Sequence, residues 1–144
     1  MILDLCTGGD LSFHLSKREI FDLPVATFLI AEIMLAIEYI HSLNVIYRDL
    51  KPENILIDHE GHSKLADFGL AKENIDNKNF AKSFCGSPAY LAPEMLTEKG
   101  VGRPADIYQM GAVLYELLFG IPPFYTDNIK KLYKNIATAK LNVP

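Results

Sequence analysis

Cysteine, excess positive charge and long apolar runs are all scarce in this chain. Its two cysteines, Cys6 and Cys85, are far apart and have no metal-binding spacing, so we expect reduced thiols in an intracellular protein, cytoplasmic or nuclear. The net charge of −4 gives no indication of a nucleic-acid partner. The apolar stretch from Ile107 to Phe119 is interrupted by polar residues and is too short to cross a bilayer, so we expect no membrane segment.

The composition is that of one folded domain. The chain has 144 residues, of which 49% are hydrophobic and 22% charged, and this balance suits a compact unit with a substantial core. Internal repeats and low-complexity tracts are absent from the sequence. Any function must therefore come from particular residues rather than from a repeated surface.

Three polar motifs follow one another along the middle of the chain. Tyr47–Asn54 reads YRDLKPEN, Asp67–Gly69 reads DFG, and Ala92–Glu94 reads APE. A lone DFG tripeptide carries little information, whereas three motifs in this order and at this spacing indicate one chemistry. That chemistry is phosphoryl transfer, which depends on positioning and charge neutralisation more than on covalent help from the protein.

The side chains in these motifs match the needs of a phosphoryl-transfer site. Asp49 can accept or orient the proton of a substrate hydroxyl group, and Lys51 places a positive charge beside the phosphoryl oxygens. Asn54 and Asp67 offer oxygen ligands, which Mg²⁺ prefers. We therefore expect Asp49, Lys51 and Asn54 to be catalytic residues and Asn54 and Asp67 to be metal ligands.

A short hairpin is predicted between the first two motifs. The apolar runs Ile55–Ile57 and Lys64–Ala66 flank Asp58–His62, which has the composition of a turn. Strand pairing would bring Asn54 and Asp67 together at the open end of the hairpin.

The three motifs resemble the catalytic loop, the metal-binding loop and the end of the activation segment of protein kinases. Tyr47 in place of histidine, together with SFCGSPAYLAPE at Ser83–Glu94, is similar to the AGC group of serine/threonine kinases. The resemblance runs from Leu3 to the C-terminus. It implies an enzyme that transfers the γ-phosphoryl group of ATP to protein Ser or Thr hydroxyls, with ATP and Mg²⁺ as cofactors.

The same resemblance implies a protein-kinase-like fold, namely a mainly α-helical C-terminal lobe with a short β-hairpin. Residues 1–144 would form a partial kinase domain, from the hinge to the short helix after the central buried helix. We expect the N-terminal lobe and the last helices to be absent, because the Gly-rich loop, the strand lysine and the αC glutamate of active kinases have no counterpart here. The isolated chain is therefore expected to be inactive.

Three helices are predicted from apolar patterns. Pro24–Leu43 is apolar on nearly every side, which is typical of a buried rather than an amphipathic helix, and His41 at its end is given a structural role. Ala105–Phe119 is also nearly all apolar and is predicted to be the core of the lobe. Ile129–Ile136 is predicted to be a short amphipathic helix with a solvated basic face.

Nucleotide contacts are implied for the first residues and for the hairpin. By resemblance, backbone groups of Asp4 and Cys6 would meet the adenine edge, and Leu56 would line the ATP site. Asp10 would bond the ribose or attract a basic substrate residue. The alternative is that Asp10 is a solvated helix N-cap.

Regulation is implied for the polar segment after the DFG motif. Ser83 lies where related kinases are phosphorylated, and an upstream kinase could act on it. A phosphate carrying about −1.5 to −2 charges would pair with Arg48 and with Lys72. The alternative is an ordinary loop serine. Ser87 matches a hydroxyl that bridges Asp49 and Lys51.

Substrate selection is implied for three acidic residues. By resemblance, Asp10, Glu53 and Glu116 would form an acidic groove for a basic peptide, although Ala89 replaces an acidic residue common in the family. The alternative is that Glu53 is solvated and Glu116 is a satisfied core residue. Four further residues are given structural roles, with Glu94 expected to be buried and unpaired and Asp106 to cap the catalytic loop: Phe68, Gly69, Glu94 and Asp106.

Three functions fit these motifs. The first is a serine/threonine protein kinase, and the second is a non-catalytic, kinase-like binding or scaffold fragment. The third is a small-molecule phosphotransferase, which the peptide-shelf segment from Gly86 to Glu94 disfavours. The four intact residues Asp49, Lys51, Asn54 and Asp67 favour the first.

Overall fold

The computed structural model describes residues 4–75, 80–81, 85–97 and 100–144. In these ranges the chain forms four α-helices and one two-stranded antiparallel sheet, connected in part by short 3₁₀ turns. The helices are α1 (Leu11–Arg18), α2 (Leu23–Ser42), α3 (Arg103–Phe119) and α4 (Ile129–Thr138), and the strands are β1 (Ile55–Ile57) and β2 (Ser63–Leu65). The 3₁₀ turns are Pro52–Asn54, Pro88–Tyr90 and Pro93–Leu96.

The position of α2 agrees with the sequence prediction, but the prediction that it is buried on nearly every side is wrong. Its buried apolar residues, including Ile33 and Ile37, form one face that packs against α3 and β2. On the other face Phe28 is 48% exposed, Met34 51% and Leu35 66%. An all-apolar sequence does not reveal how many neighbours a helix has, and α2 has them on one side.

By length and composition alone, α2 is also apolar enough to cross a membrane. A core helix satisfies the same criterion. Because α2 packs along one face against α3 and the hairpin, its composition supports no claim about a membrane.

The central helix α3 contributes to the core, as the sequence predicts, but only along one face. That face contains Ala105, Asp106, Gln109, Val113 and Leu117, while Ile107 on the opposite side is 50% exposed. The helix ends at Gly120, whose φ of 81° places it in the left-handed region and whose N–H donates to the Glu116 carbonyl. A Cβ at Gly120 would lie 3.0 Å from the Glu19 carbonyl oxygen, so both the backbone angle and the close packing favour glycine.

The predicted hairpin is present, with its second strand one residue earlier than expected. Ile55 pairs with Leu65 and Ile57 pairs with Ser63. The Asp58 N–H donates to the His62 carbonyl over 3.0 Å and closes the turn. At the open end the Ala66 N–H donates to the Asn54 carbonyl over 2.9 Å, which brings Asn54 and the start of the DFG motif together.

Two apolar clusters make up the core, and the segment from Ile46 to Leu50 joins them. The first cluster packs α1, α2, α3 and the hairpin around Tyr47 and Leu50. The second contains Ile46 and includes residues of the third 3₁₀ turn, whereas Tyr90 of the second turn belongs to the first cluster. Helix α4 packs against those two turns through its buried face, and its lysines are exposed, as the amphipathic pattern predicts.

Candidate active site

The segment from Ile46 to Leu50 is buried and tied to the DFG motif. Ile46 and Lys72 exchange two backbone hydrogen bonds of 2.9 Å. The Tyr47 hydroxyl donates to the Ala66 carbonyl, and its ring meets Phe68 edge-on with centroids 5.3 Å apart. Burial raises the pKa of the Tyr47 hydroxyl, so this residue remains a neutral donor. These contacts fix the loop relative to the end of the hairpin.

The Asp49 carboxylate is the centre of a polar cluster. Its Oδ2 lies 2.9 Å from Lys51 Nζ and accepts a 3.0 Å bond from Asn54 Nδ2. Its Oδ1 accepts from the Ser87 hydroxyl over 3.2 Å. Lys51 Nζ in turn donates to Ser87 Oγ over 3.0 Å, so the Ser87 hydroxyl lies between the two charged groups. The structure thus brings four sequence-predicted site residues together.

Asp106 binds the backbone of the loop that carries Asp49. This fully buried carboxylate accepts from the Tyr47 N–H over 2.9 Å and from the Arg48 N–H over 2.7 Å. His41 Nε2 lies 2.7 Å from the same carboxylate. A buried carboxylate is costly unless it is bonded, and here three donors satisfy it.

Gln109 is a site residue that sequence analysis missed. It is fully buried, and its side-chain amide bonds to the Arg48 carbonyl and to the Leu50 N–H. A signal was available, since a polar amide in an otherwise apolar buried helix requires a partner. The sequence did not reveal which backbone groups it would meet.

Asn54 and Asp67 supply the oxygen donors at the open end of the hairpin. Asp67 has a φ of 54° and accepts from the Gly69 N–H over 3.0 Å, which bends the DFG motif sharply. In the part of the chain that the structure describes, no cluster of three or more His, Cys, Asp or Glu side chains could hold a metal. An amide and a carboxylate fit Mg²⁺, which uses few protein ligands and takes the rest from phosphate and water.

A cavity of about 600 Å³ adjoins Asp67 and the hairpin. Its lining comprises Asp4, Cys6, Leu56 and the segment from Lys64 to Gly69. The residues given nucleotide-contacting roles therefore surround one space, apart from Asp10.

Arg48 is buried and only partly satisfied. Its Nε donates to the Leu70 carbonyl over 2.8 Å, whereas its Nη1 has no hydrogen-bond partner among the residues that the structure describes. Lys72 is exposed. Ser83 lies outside the described residues, so its proposed pairing with Arg48 and Lys72 stays a prediction.

Two of the three predicted groove residues interact electrostatically. Burial raises the pKa of Glu116, and the negative charge of Glu53 raises it further. The Tyr90 hydroxyl, which donates to Glu116 over 2.5 Å, lowers this pKa but does not cancel the increase. Glu53 is exposed. Asp10 caps α1, with its Oδ1 accepting from the Phe13 N–H over 2.8 Å, as the alternative interpretation anticipates.

The burial of Glu94 differs from the sequence prediction. It is half-buried rather than buried, because it lies in the short 3₁₀ turn Pro93–Leu96 with one side open. Its side chain makes no hydrogen bond or ion pair with any residue in the described ranges. Burial raises the pKa of Tyr108, and the Glu94 charge raises it further.

The buried loop presents a carboxylate, the hairpin presents two oxygen donors, and a cavity adjoins the hairpin, which is the arrangement that the resemblance to protein kinases implies. The protein kinase domain family model matches residues 1–143. The chain is 50% identical to serine/threonine-protein kinase Sgk2 of Homo sapiens over 143 residues, which are 99% of this chain and 39% of that protein. It is also 50% identical to serine/threonine-protein kinase Sgk1 of Homo sapiens and of Gallus gallus, in each case over 142 residues.

The chain belongs to the protein kinase family, and its relatives place it among the AGC-type serine/threonine kinases. The match with human Sgk1 includes 99% of this chain but only 33% of that protein. The chain thus spans between a third and two fifths of the length of these relatives.

Proposed function

We propose that the protein carrying this chain transfers the γ-phosphoryl group of ATP to Ser or Thr hydroxyls of protein substrates. The observation that carries the proposal is the Asp49 carboxylate, which Lys51, Asn54 and Ser87 hold in one polar cluster. Residues 1–144 would contribute most of a C-terminal lobe, from the hinge to α4.

Each residue of the cluster has a defined task in this reaction. Asp49 would accept or orient the hydroxyl proton of the substrate, and Lys51 would balance charge on the transferred group. Ser87, bonded to both, would keep the two side chains at their observed separation. Asn54 and Asp67 would hold Mg²⁺, which when bound neutralises phosphate charge.

The cavity indicates how ATP would lie. The side chains of Leu56 and Leu65 in its lining suit an adenine ring, and the Asp67 carboxylate, which also lines it, would lie near the phosphates. Backbone groups of Asp4 and Cys6 would meet the adenine edge. Asp10, already engaged as a helix cap, would contact the ribose with its remaining oxygen.

We assign basic peptides as substrates and an upstream kinase as regulator. Glu53 and Glu116 interact electrostatically at one place on the surface, and α1, which Asp10 caps, packs against the turn that contains Glu53. The unpartnered buried nitrogen of Arg48 supports a phosphate on Ser83 as its partner. An intracellular location agrees with the free cysteines Cys6 and Cys85.

The test is phosphoryl transfer by the full-length protein to a serine peptide with upstream arginines. Asp49→Asn should reduce the rate by roughly 10²–10⁴-fold, since a positioned base contributes about that much. Asp67→Asn should also reduce the rate, because it removes a carboxylate ligand for Mg²⁺. The matched control is Asp22→Asn, because Asp22 is exposed and makes no side-chain cap bond in the described structure. A scaffold function would instead show no transfer by the wild type.

The isolated 144-residue chain should show no transfer. The described residues that line the cavity come only from positions 4–69, and no Gly-rich loop motif is present to cover the phosphates. Peptide phosphorylation by the pure chain that Asp67→Ala abolishes would contradict this expectation.

A further inference from the structure

The amide of Gln109 contacts the backbone on both sides of Asp49. Gln109 is fully buried on α3, and its Nε2 donates to the Arg48 carbonyl over 3.1 Å. Its Oε1 accepts from the Leu50 N–H over 3.2 Å. One side chain therefore satisfies two buried backbone groups that belong to different peptide units.

The two bonds fix the orientation of Asp49. The Arg48 carbonyl belongs to the peptide plane before Asp49, and the Leu50 N–H belongs to the plane after it. Because each peptide unit is planar, anchoring both units leaves little freedom in the φ and ψ angles between them. Asn54 Nδ2 adds a 2.9 Å bond to the Asp49 carbonyl in the second plane.

Only one rotation of the amide is compatible with these contacts. A rotated amide would direct its oxygen at the Arg48 carbonyl and its N–H groups at the Leu50 N–H, and both contacts would be repulsive. The orientation of Gln109 is therefore determined by its neighbours, and the amide acts as a matched donor and acceptor.

Asp106 cannot perform this task. Its carboxylate binds the N–H groups of Tyr47 and Arg48, which lie before the peptide unit that leads into Asp49. Arg48 has a φ of 72°, a conformation that is sparsely populated for a non-glycine residue and persists only where its surroundings impose it. Gln109 holds the carbonyl of that strained residue and continues the support past Asp49.

We propose that Gln109 is a positioning residue that directs the Asp49 carboxylate toward the substrate hydroxyl. It acts through the backbone and touches no reacting atom. The proposal rests on the proposed kinase function, and it adds a residue-specific support for the base on α3.

The test compares three variants of the full-length protein. Gln109→Met keeps the length of the side chain and removes both hydrogen bonds. Gln109→Glu keeps the acceptor for Leu50 and can donate to Arg48 only when the carboxyl group is protonated. Val113→Ala is the control, because Val113 is fully buried one turn further along α3 and belongs to the apolar core.

Gln109→Met should lower kcat per folded molecule by roughly 10- to 100-fold, since small misplacements of a catalytic group have effects of this size. The KM values for ATP and peptide should change by less than about threefold, because no substrate contact is lost. Gln109→Glu should recover part of kcat as the pH falls, because its neutral form has the same donor and acceptor as glutamine. Val113→Ala should lower the melting temperature and leave kcat unchanged.

Hydrogen exchange gives a readout independent of catalysis. Exchange at the Leu50 amide should be at least about tenfold faster in Gln109→Met than in Val113→Ala, because only the former loses the acceptor. If the wild-type protein transfers no phosphoryl group, the kinase function fails while Leu50 exchange still decides whether Gln109 holds the loop. Unchanged Leu50 exchange, or equal loss of kcat in Gln109→Met and Val113→Ala, would overturn the proposal.

Discussion

His41 Nε2 lies 2.7 Å from Asp106 Oδ2, a buried contact between residues separated by 65 positions. His41 lies in the last turn of α2, and Asp106 lies in the first turn of α3. Because the same carboxylate accepts the N–H groups of Tyr47 and Arg48, this pair joins the two long helices to the loop that carries Asp49. The stability of the fold and the geometry of the site therefore depend on one carboxylate.

Asp106→Asn should be strongly destabilising. The new amide has one acceptor oxygen for three donors, and its NH₂ group would face one of them. Breaking a buried charged network in this way costs about 3–5 kcal/mol in the free energy of unfolding. Urea denaturation of the two proteins measures the difference.

Asp22→Asn is the control for this measurement, since Asp22 is exposed at the start of α2. It should change the free energy of unfolding by less than about 0.5 kcal/mol. A similarly small change for Asp106→Asn would show that the capping bonds are not important for folding.

Glu94→Gln should stabilise the 144-residue chain. Glu94 is half-buried and has no side-chain partner in the described residues, so neutralising it removes a desolvation cost without breaking a bond. Its exposure limits the gain to about 0.5–1 kcal/mol. Calorimetry should show a rise of roughly 2–3 °C in melting temperature for a domain of this size.

The exposed residue Glu73 provides the comparison, and Glu73→Gln should leave the melting temperature nearly unchanged. A lower melting temperature for Glu94→Gln would mean that Glu94 has a favourable partner.

A pH-dependent contact fastens the hairpin to α2. Glu32 Oε1 lies 2.5 Å from His62 Nδ1, and Glu32 Oε2 accepts from the Ser63 N–H over 2.7 Å. Burial raises the pKa of Glu32, but bonds from Ser63 and His62 outweigh it and hold the value below 4.5. The hydrogen bond to Glu32 and the charge of Glu32 raise the pKa of His62 above 6.5, and Asp58 and Glu60 add to the increase.

The contribution of this contact should be greatest between about pH 4.5 and 6.5. The His62 part is fully present below 6.5 and is lost as the pH rises through the raised pKa. The Glu32 part is present above 4.5 and is lost as the pH falls through the lowered pKa. The difference in unfolding free energy between wild type and His62→Gln should therefore have a maximum inside this window.

His59→Gln provides the matched control, because His59 is exposed in the same turn. Its difference from the wild type should show no such maximum. A His62→Gln difference that is constant across the pH range would show that the ion pair does not contribute to stability.

The local elements could be predicted because their signals are local. Proline in the first turn of α2, glycine at the end of α3 and the turn between β1 and β2 are all visible in the sequence. The cluster around Asp49 could be anticipated from the order of the motifs. In each case the information lies in neighbouring residues or in a family pattern.

Other features depend on contacts between distant segments. The exposed face of α2 was not predictable, because Phe28 and Leu35 have the same apolar character as the buried Ile33. The contacts of Gln109 depend on how α3 is placed beside a loop 59 to 61 positions away in sequence. No local pattern encodes such a register.

The acidic residues of the proposed groove should determine substrate choice in the full-length protein. We expect the wild type to prefer arginine or lysine a few residues before the acceptor Ser or Thr. Each charge-assisted bond excluded from water contributes about 1.5–3 kcal/mol, which corresponds to roughly 10- to 150-fold in selection. Glu53→Ala combined with Glu116→Ala should remove this preference and leave the affinity for ATP nearly unchanged.

Tyr90→Phe separates the groove from a purely structural role of Glu116. The Tyr90 hydroxyl donates to Glu116, so its removal leaves the carboxylate in place but raises its pKa further. As the pH is lowered, the preference for basic residues should weaken, because a protonated Glu116 no longer attracts a cation. In Tyr90→Phe this weakening should occur at a higher pH than in the wild type. A peptide library assayed at several pH values measures this shift. If the wild type selects no basic residue, or if the double variant keeps the preference, Glu53 and Glu116 do not form the substrate groove.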